Sequence, residues 1–274
     1  MDPRLLQQKR SAYQSRTVRL DQSIFQRIGL IKSRVHLKIA DYYISCVPYD
    51  LSLETCRAIA VLGPREIAFF GEYREGTHNL HLSFDSPLFG REISLFAKVR
   101  LAGIRQPNPE SSVCLIDLSL VTVPNDLAEI LVTLIEELDA ARSAYDEATA
   151  RNRPVPLDTV YPAWPYRTVA IERDGESLSR CARIVDLAPH RMRVFVDAPG
   201  PHPEAGTSVE ITSQDDDGDL YLRASVVESA PSEEVPGCIF LDCALEFSPT
   251  YVDRIRAAMP AQEALRPAES AQRG

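Results

Sequence analysis

Apolar and polar positions recur along the chain with two different periods, and the switches between them mark its organisation. Leu20, Ile24, Ile28 and Ile31 recur at helical spacing with Arg16, Arg19 and Arg27 between them, so much of residues 1–38 is expected to be helix. From Val35 to about Val121 the pattern shortens to β-prone runs: VHLKIADYYISCV, REIAFF, LHLSF, ISLFAKVRLAGI and SVCLIDLSLVTV. Turn signals separate them at Gly63-Pro64, Gly76, Ser86-Pro87, Gly90 and Gln106-Pro107-Asn108-Pro109. In the last run Cys114, Ile116, Leu118 and Leu120 fall on one face. Many short strands at regular spacing predict a small barrel or sandwich.

Pro124 opens a long helix, with Asp126 and Glu129 at capping-box spacing and Asp126 as the expected cap. Leu127, Leu131, Leu134, Leu138, Ala141, Tyr145 and Ala148 step by four and three, a heptad seam. The seam either clamps the preceding barrel or pairs with a second copy. Its fading to alanine favours the clamp. Residues 151–165 (RNRPVPLDTVYPAWP) carry four prolines and read as a stiff, extended linker. A second β-rich unit follows in RTVAIE, SRCARIVDL, MRVFVDA, TSVEITS, DLYLRASVVES and GCIFLDCALEF. In its last run Ile239, Leu241, Cys243, Leu245 and Phe247 face one way, and Asp242 and Glu246 the other. Asp217-Gly218 reads as a hairpin turn, and Pro249 precedes a helix to about Met259. The expected domains are 1–150 and 166–260, joined by the linker 151–165 and followed by a disordered tail, 261–274.

Composition narrows the class. The chain has 274 residues, 45% hydrophobic and 25% charged, as in folded soluble proteins. Its net charge of -9 argues against a general nucleic-acid binder, so no DNA partner is expected, although a local basic patch remains compatible with it. Residues 1–38 hold nine Lys/Arg against two Asp, which reads as a solvated basic face or as a docking surface for an acidic partner. No apolar run approaches the roughly 20 residues of a membrane span. The start, MDPRLLQQK, has no signal-peptide core, so a cytoplasmic protein without membrane insertion is expected. Cys46, Cys56, Cys114, Cys181, Cys238 and Cys243 are scattered without a CxxC, as buried free thiols would be.

Known catalytic and metal patterns find no support. GxGxxG, GxxxxGK, GxSxG and HExxH are absent. His78 and His81 are three apart in a strand-like run and point to opposite faces. Ser213 to Gly218 imitates the start of a calcium loop, but its twelfth position is Ala224 rather than a bidentate Glu. No enzyme, metal or cofactor is therefore expected.

The stretch Ser179-Arg180-Cys181-Ala182-Arg183-Ile184-Val185-Asp186-Leu187-Ala188, followed by a strand, the Gly206 turn, two long strands and a helix, resembles a PilZ domain. The first unit resembles the PilZ-like N-terminal domain of two-domain PilZ regulators through Gly29-Leu30-Ile31, His36 to Cys46, Leu80 to Phe84 and Val123 to Leu131. The resemblance covers most of residues 10–258. It implies a mainly β protein of two six-stranded antiparallel barrels, each followed by a helix, with an N-terminal helix. It also implies a non-catalytic regulator whose ligand is cyclic di-GMP, and control of processes such as motility. In the family an RxxxR pair precedes the first strand and D/N-x-S-x-x-G follows the second. Guanine offers O6 and N7 to a bidentate Arg, phosphates take further guanidinium contacts, and a carboxylate meets the remaining guanine donors. Here RxxxR is absent. Arg151 and Arg153 stand in the linker where it would be, with Arg167 as a further candidate. The second motif reads Asp186-Leu187-Ala188-Pro189-His190-Arg191, with Ala188 for Ser and Arg191 for Gly. The expected ligand residues are Arg151, Arg153, Arg167, Arg183, Asp186 and Arg191. Asp50-Leu51-Ser52 and Asp117-Leu118-Ser119 repeat the start of that motif in the first unit, without an arginine pair. The alternative is a PilZ module that no longer binds cyclic di-GMP and acts as a monomer or dimer through a protein partner, using the basic N-terminal segment or the heptad seam.

Overall fold

A computed structural model describes residues 2–86, 88–151, 155–157, 164–197, 202–213 and 220–258. The chain forms two compact units, Met1–Glu137 and Leu138–Gly274.

The first unit opens with α1 (Pro3–Tyr13), whose N-terminus Asp2 caps by accepting from the amides of Arg4 and Leu5 at 2.9 and 3.2 Å. A two-residue strand, β1 (Val18–Arg19), then precedes α2 (Gln22–Ile28). Asp21 caps α2, and Gly29 ends it in the left-handed region at φ 68°. Of the series expected at helical spacing within residues 1–38, Ile24 and Ile28 lie in α2, whereas Leu20 precedes it and Ile31 follows it. Six strands make the barrel: β2 (His36–Ile39), β3 (Tyr42–Leu51), β4 (Thr55–Val61), β5 (His78–Ser86), β6 (Arg91–Arg105) and β7 (Val113–Thr122). They close as β3-β2-β5-β6-β7-β4, with β4 pairing back on β3 and every pair antiparallel.

Two runs depart from the sequence expectation. REIAFF belongs to a helix, α3 (Pro64–Gly71), because Pro64 sets its first turn and the Glu66 carboxylate accepts from the Gly63 amide at 2.7 Å. TCRAIAV supplies β4, in which Cys56, Ala58 and Ala60 are the buried face. Small residues give that alternation too little hydrophobic contrast to register in the sequence.

The long helix α4 (Asn125–Arg151) contributes its first part to the first unit. Leu127, Leu131 and Leu134 of its seam are buried, so the seam clamps the chain's own core there. Asp126 lies inside the first turn rather than at the cap, because the helix begins one residue earlier. The basic N-terminal segment has an acidic partner within the chain. Lys9 pairs with Glu136 at 2.6 Å, Arg27 with Glu137 at 2.8 Å, and Arg10 bonds Asn125 at 3.2 Å. Those side chains are engaged with α4, which removes them from an open docking face.

The second unit contains β8 (Val155–Pro156), β9 (Thr168–Arg173), β10 (Glu176–Ala188), β11 (Arg191–Asp197), β12 (Ser208–Ser213), β13 (Leu220–Pro231), β14 (Cys238–Leu245) and α5 (Pro249–Ala258). The expected runs all form strands here. The six-stranded ring is β10-β9-β12-β13-β14-β11, closed by β11 on β10. Tyr251, Val252, Ile255 and Ala258 of α5 are buried, and the Trp164 ring meets those of Tyr166 and Tyr251 at 5.5 and 5.6 Å. From the end of α4, Tyr145 donates its hydroxyl to the Leu245 carbonyl at 2.9 Å and packs on Phe247. Phe247 thus lies beyond β14 instead of on its inner face. The Asp217-Gly218 turn, most of the calcium-like stretch, part of the linker and the tail 261–274 lie outside the described residues.

The protein is mainly β, built of two closed antiparallel barrels. Numbering the six ring strands of each unit in chain order gives one cyclic order, 2-1-4-5-6-3, in both. In both, a further two-residue strand pairs with the second. Cys46, Cys56, Cys114 and Cys243 are buried free thiols, while Cys181 is exposed. No described helix is long and apolar enough to cross a membrane, and the described residues hold no group of three or more metal-ligating side chains.

Candidate ligand site on the second barrel

β10 carries a bulge between Ile184 and Asp186. Without it a strict alternation would put Arg183 and Asp186 on opposite faces. With it Ile184 and Leu187 are both buried, and Arg183 and Asp186 both lie outside the core. Three cross-strand rows then run over β10, β11 and β14: Arg183–Phe195–Phe240, Asp186–Arg193–Asp242 and Ala188–Arg191–Ala244.

Arg191 sits where the motif would have glycine. Its Nε and Nη2 donate to the two carboxylate oxygens of Asp242, a fork-on-fork pair. These bonds raise the Arg191 pKa further, against the burial that would lower it. Asp242, expected to face solvent, is only 8% exposed, because the guanidinium lies over it. Arg193 stacks its guanidinium 4.8 Å from the centre of the Phe240 ring, and Phe195 lies 5.1 Å from Phe240. In the turn between β10 and β11, burial and then the Arg191 charge lower the His190 pKa.

The structure brings four of the six expected residues to this region. Arg183, Asp186 and Arg191 share the rows just described, and the Arg167 carbonyl accepts from Ile184 N at 3.0 Å at the head of β9. Arg151 is the last residue of α4, and Arg153 lies outside the described residues. The linker returns as β8, pairing Pro156 with Asp186 and Val155 with Leu187. Arg193, Phe195 and Phe240 escaped the sequence reading. The alternation in MRVFVDA was the available signal, since Met192, Val194 and Val196 are buried and Arg191, Arg193 and Phe195 must share the other face.

The first barrel repeats this geometry. β3 bulges between Pro48 and Asp50, then pairs Asp50 with Arg57 and Leu51 with Cys56. β10 likewise pairs Asp186 with Arg193 and Leu187 with Met192. β1 pairs Arg19 with Asp50 as β8 pairs Pro156 with Asp186. Asp50-Leu51-Ser52 is thus the topological counterpart of Asp186-Leu187-Ala188, which sequence spacing alone did not reveal. Its side chains serve the barrel itself. Ser52 Oγ accepts from the amides of Glu54 and Thr55 at 3.1 and 2.9 Å, closing the hairpin. Arg57 bridges Asp50 at 3.1 Å and Asp117 at 2.8 Å, and Arg105 reaches Asp117 at 2.9 Å.

Asp117 carries a pH signature. Its burial alone would raise the carboxyl pKa, but the bonds and charges of Arg105 and Arg57 outweigh it and hold the pKa below the ordinary 3.8. A carboxylate with a depressed folded-state pKa stabilises the fold above its unfolded value and loses that contribution as pH falls through the folded value. Asp117→Asn is therefore expected to melt below wild type at pH 7, with the gap closing as the pH falls below about 4. Thermal melts followed by circular dichroism at pH 7 and in acid check this; a gap that stays constant would contradict it.

Residues 5–138 match the family of the PilZN3 domain. The first unit is a PilZN3 domain. With its second barrel of the same ring order, the chain is a two-domain PilZ protein. No curated protein sequence matches it. Among solved structures it is similar to the Borreliella burgdorferi PlzA protein in complex with c-di-GMP, at 12% identity and TM-score 0.41, covering 93% of this chain and 98% of that one. It is similar to the Bacillus subtilis inhibitor of motility MotI/DgrA at 11% identity and TM-score 0.32, covering 88% and 99%. Escherichia coli YcgR in complex with c-di-GMP matches at 10% identity and TM-score 0.29, covering 95% and 88%.

Proposed function

We propose that this PilZ protein is a non-catalytic receptor for cyclic di-GMP, holding the nucleotide on the outer face of β10, β11 and β14. The observation that carries the reading is the set of rows there, which places Arg183 and Arg193 around Asp186 with Phe195 and Phe240 alongside. Asp186 accepts from the guanine ring N–H and amino group, which a guanidinium cannot satisfy. Arg183 or Arg193 donates to guanine O6 and N7, and the phenylalanine faces and the stacked Arg193 supply a platform for the base. Arg151 and Arg153, at the start of the linker 151–165 between domains 1–150 and 166–260, and Arg167, at the head of β9, are the phosphate contacts. β8 supports this, because the linker pairs with β10 at Asp186 itself. PlzA and YcgR, named in complex with c-di-GMP, lend the ligand its identity.

Isothermal calorimetry with cyclic di-GMP tests the reading. Wild type is expected to bind in the micromolar range or tighter. Asp186→Ala and the double variant Arg151→Ala/Arg153→Ala are each expected to lose about 10- to 100-fold, the loss of one or two charge-assisted bonds. Equal affinity in all three proteins places the nucleotide elsewhere. No heat from wild type at high micromolar ligand favours the module acting through protein contacts, for which Ala188 and the engagement of Arg191 by Asp242 are the supporting observations.

A further inference from the structure

On β2, β5 and β6 of the first barrel, His36, His81 and Phe96 are direct cross-strand neighbours. Tyr43 of β3 joins them at the other end. The ring centroids are 5.4 Å apart from Tyr43 to His36, 4.4 Å from His36 to His81 and 4.7 Å from His81 to Phe96. Both ends of this ladder are open to solvent, with Tyr43 64% and Phe96 62% exposed. β7 pairs with β6 only from Lys98 onward, so no strand continues the ladder past Phe96. Burial, and then the neighbouring His81, lower the His36 pKa, which favours the uncharged ring.

A second row runs beside the first. Tyr43, Lys38, Asn79 and Lys98 are in register across β3, β2, β5 and β6. The Lys38 ammonium sits 5.3 Å from the Tyr43 ring centre, and Arg100 follows Lys98 on the same exposed face of β6. The chain has only four lysines and a net charge of -9, yet two of those lysines stand here. The carboxylates of β5 and β6, Asp85 and Glu92, are paired in register at the far end of these strands, where Arg34 holds Glu92.

Exposed rings beside spaced ammonium and guanidinium groups are what an unpaired nucleic-acid strand recognises. Its bases stack on ring faces and its phosphates meet the cations, whereas a duplex hides its base faces. We propose that this outer face binds single-stranded nucleic acid, with a base stacked on the open face of Phe96 and phosphates on Lys98, Arg100 and Lys38. The expectation of no DNA partner rested on total charge, and this patch is the local exception to it. The proposal goes beyond the cyclic di-GMP reading and uses none of its residues.

Fluorescence polarisation of short labelled oligouridine and oligothymidine strands, with a duplex of the same length beside them, is the test. Wild type is expected to bind at least one of the single strands and to prefer it to the duplex. Phe96→Ala is expected to weaken that binding about tenfold or more. The double variant Lys38→Ala/Lys98→Ala is expected to reduce the slope of log affinity against log salt by about 1.4, the value for two lost phosphate contacts on a single strand. Phe96 and Lys98 are exposed and Lys38 is half-buried, and circular dichroism melts verify that both variants stay folded. Asp186→Ala is expected to leave this binding unchanged, which separates it from the cyclic di-GMP site. The proposal needs both losses. No binding at high micromolar protein, equal binding of the duplex, or loss in only one of the two variants overturns it.

Discussion

Arg191→Ala is expected to destabilise the second barrel by about 2–3 kcal/mol, because it leaves a nearly buried carboxylate without its partner. Asp242 is 8% exposed, and both of its oxygens accept from Arg191. Removing the guanidinium takes away two charge-assisted bonds and leaves Asp242 short of compensating solvent. The sole tryptophan, Trp164, is fully buried in this unit, so urea unfolding followed by its fluorescence reports this barrel directly. The double variant Arg191→Ala/Asp242→Asn should recover much of the loss, since the charge is then gone from both sides. A change under about 0.5 kcal/mol for the single variant would mean that the pair behaves as an exposed surface bridge. The prediction bears on function because Arg191 occupies the glycine position of the ligand motif. With Nε and Nη2 both bonded to Asp242, only the Arg191 Nη1 is left uncommitted to that carboxylate.

Gly29→Ala is the second large effect, expected at about 3–5 kcal/mol against the first barrel. Gly29 ends α2 at φ 68°, and a Cβ placed there would lie 1.8 Å from the Asp85 carbonyl oxygen. That contact cannot relax easily. Asp85 N donates to the Gly29 carbonyl at 2.7 Å, and Ile31 N donates to the Ser83 carbonyl at 2.9 Å, so the cap is stitched to β5 on both sides. Gly90→Ala is the control. Its φ is 60°, but a methyl group at that position would meet nothing within 4 Å, so only the backbone penalty of about 1–2 kcal/mol applies. Thermal melts of the two variants should differ clearly. Equal melting temperatures would show that the approach of β5 to Gly29 is not rigid.

The strands of the second unit were legible because their inward positions are Val, Ile, Leu and Cys alternating with polar residues, as in MRVFVDA and GCIFLDCALEF. The first unit was harder to read for identifiable reasons. REIAFF has strand-forming residues, but Pro64 and the Glu66 cap decide it as helix. TCRAIAV buries only Cys56, Ala58 and Ala60, too small to announce a strand. Within the candidate site, Asp186 and Arg183 could be found from the motif, but their common face depends on a bulge that no residue type signals. The pairing of Arg191 with Asp242 joins positions 51 residues apart and follows only from the register of β11 on β14. The equivalence of Asp50 and Asp186 likewise appears only when the two bulges and the two short added strands are compared.

One surface, the outer face of β10, β11 and β14, is the proposed seat of the nucleotide. A titration of isotope-labelled full-length protein with cyclic di-GMP, followed by amide NMR shifts, is the sharpest test of it. Saturable shifts are expected at Arg183 to Ala188 and Arg191 to Phe195, absent in Asp186→Ala. Saturable shifts confined to residues of the first barrel, with Arg183 to Phe195 unmoved, would contradict it.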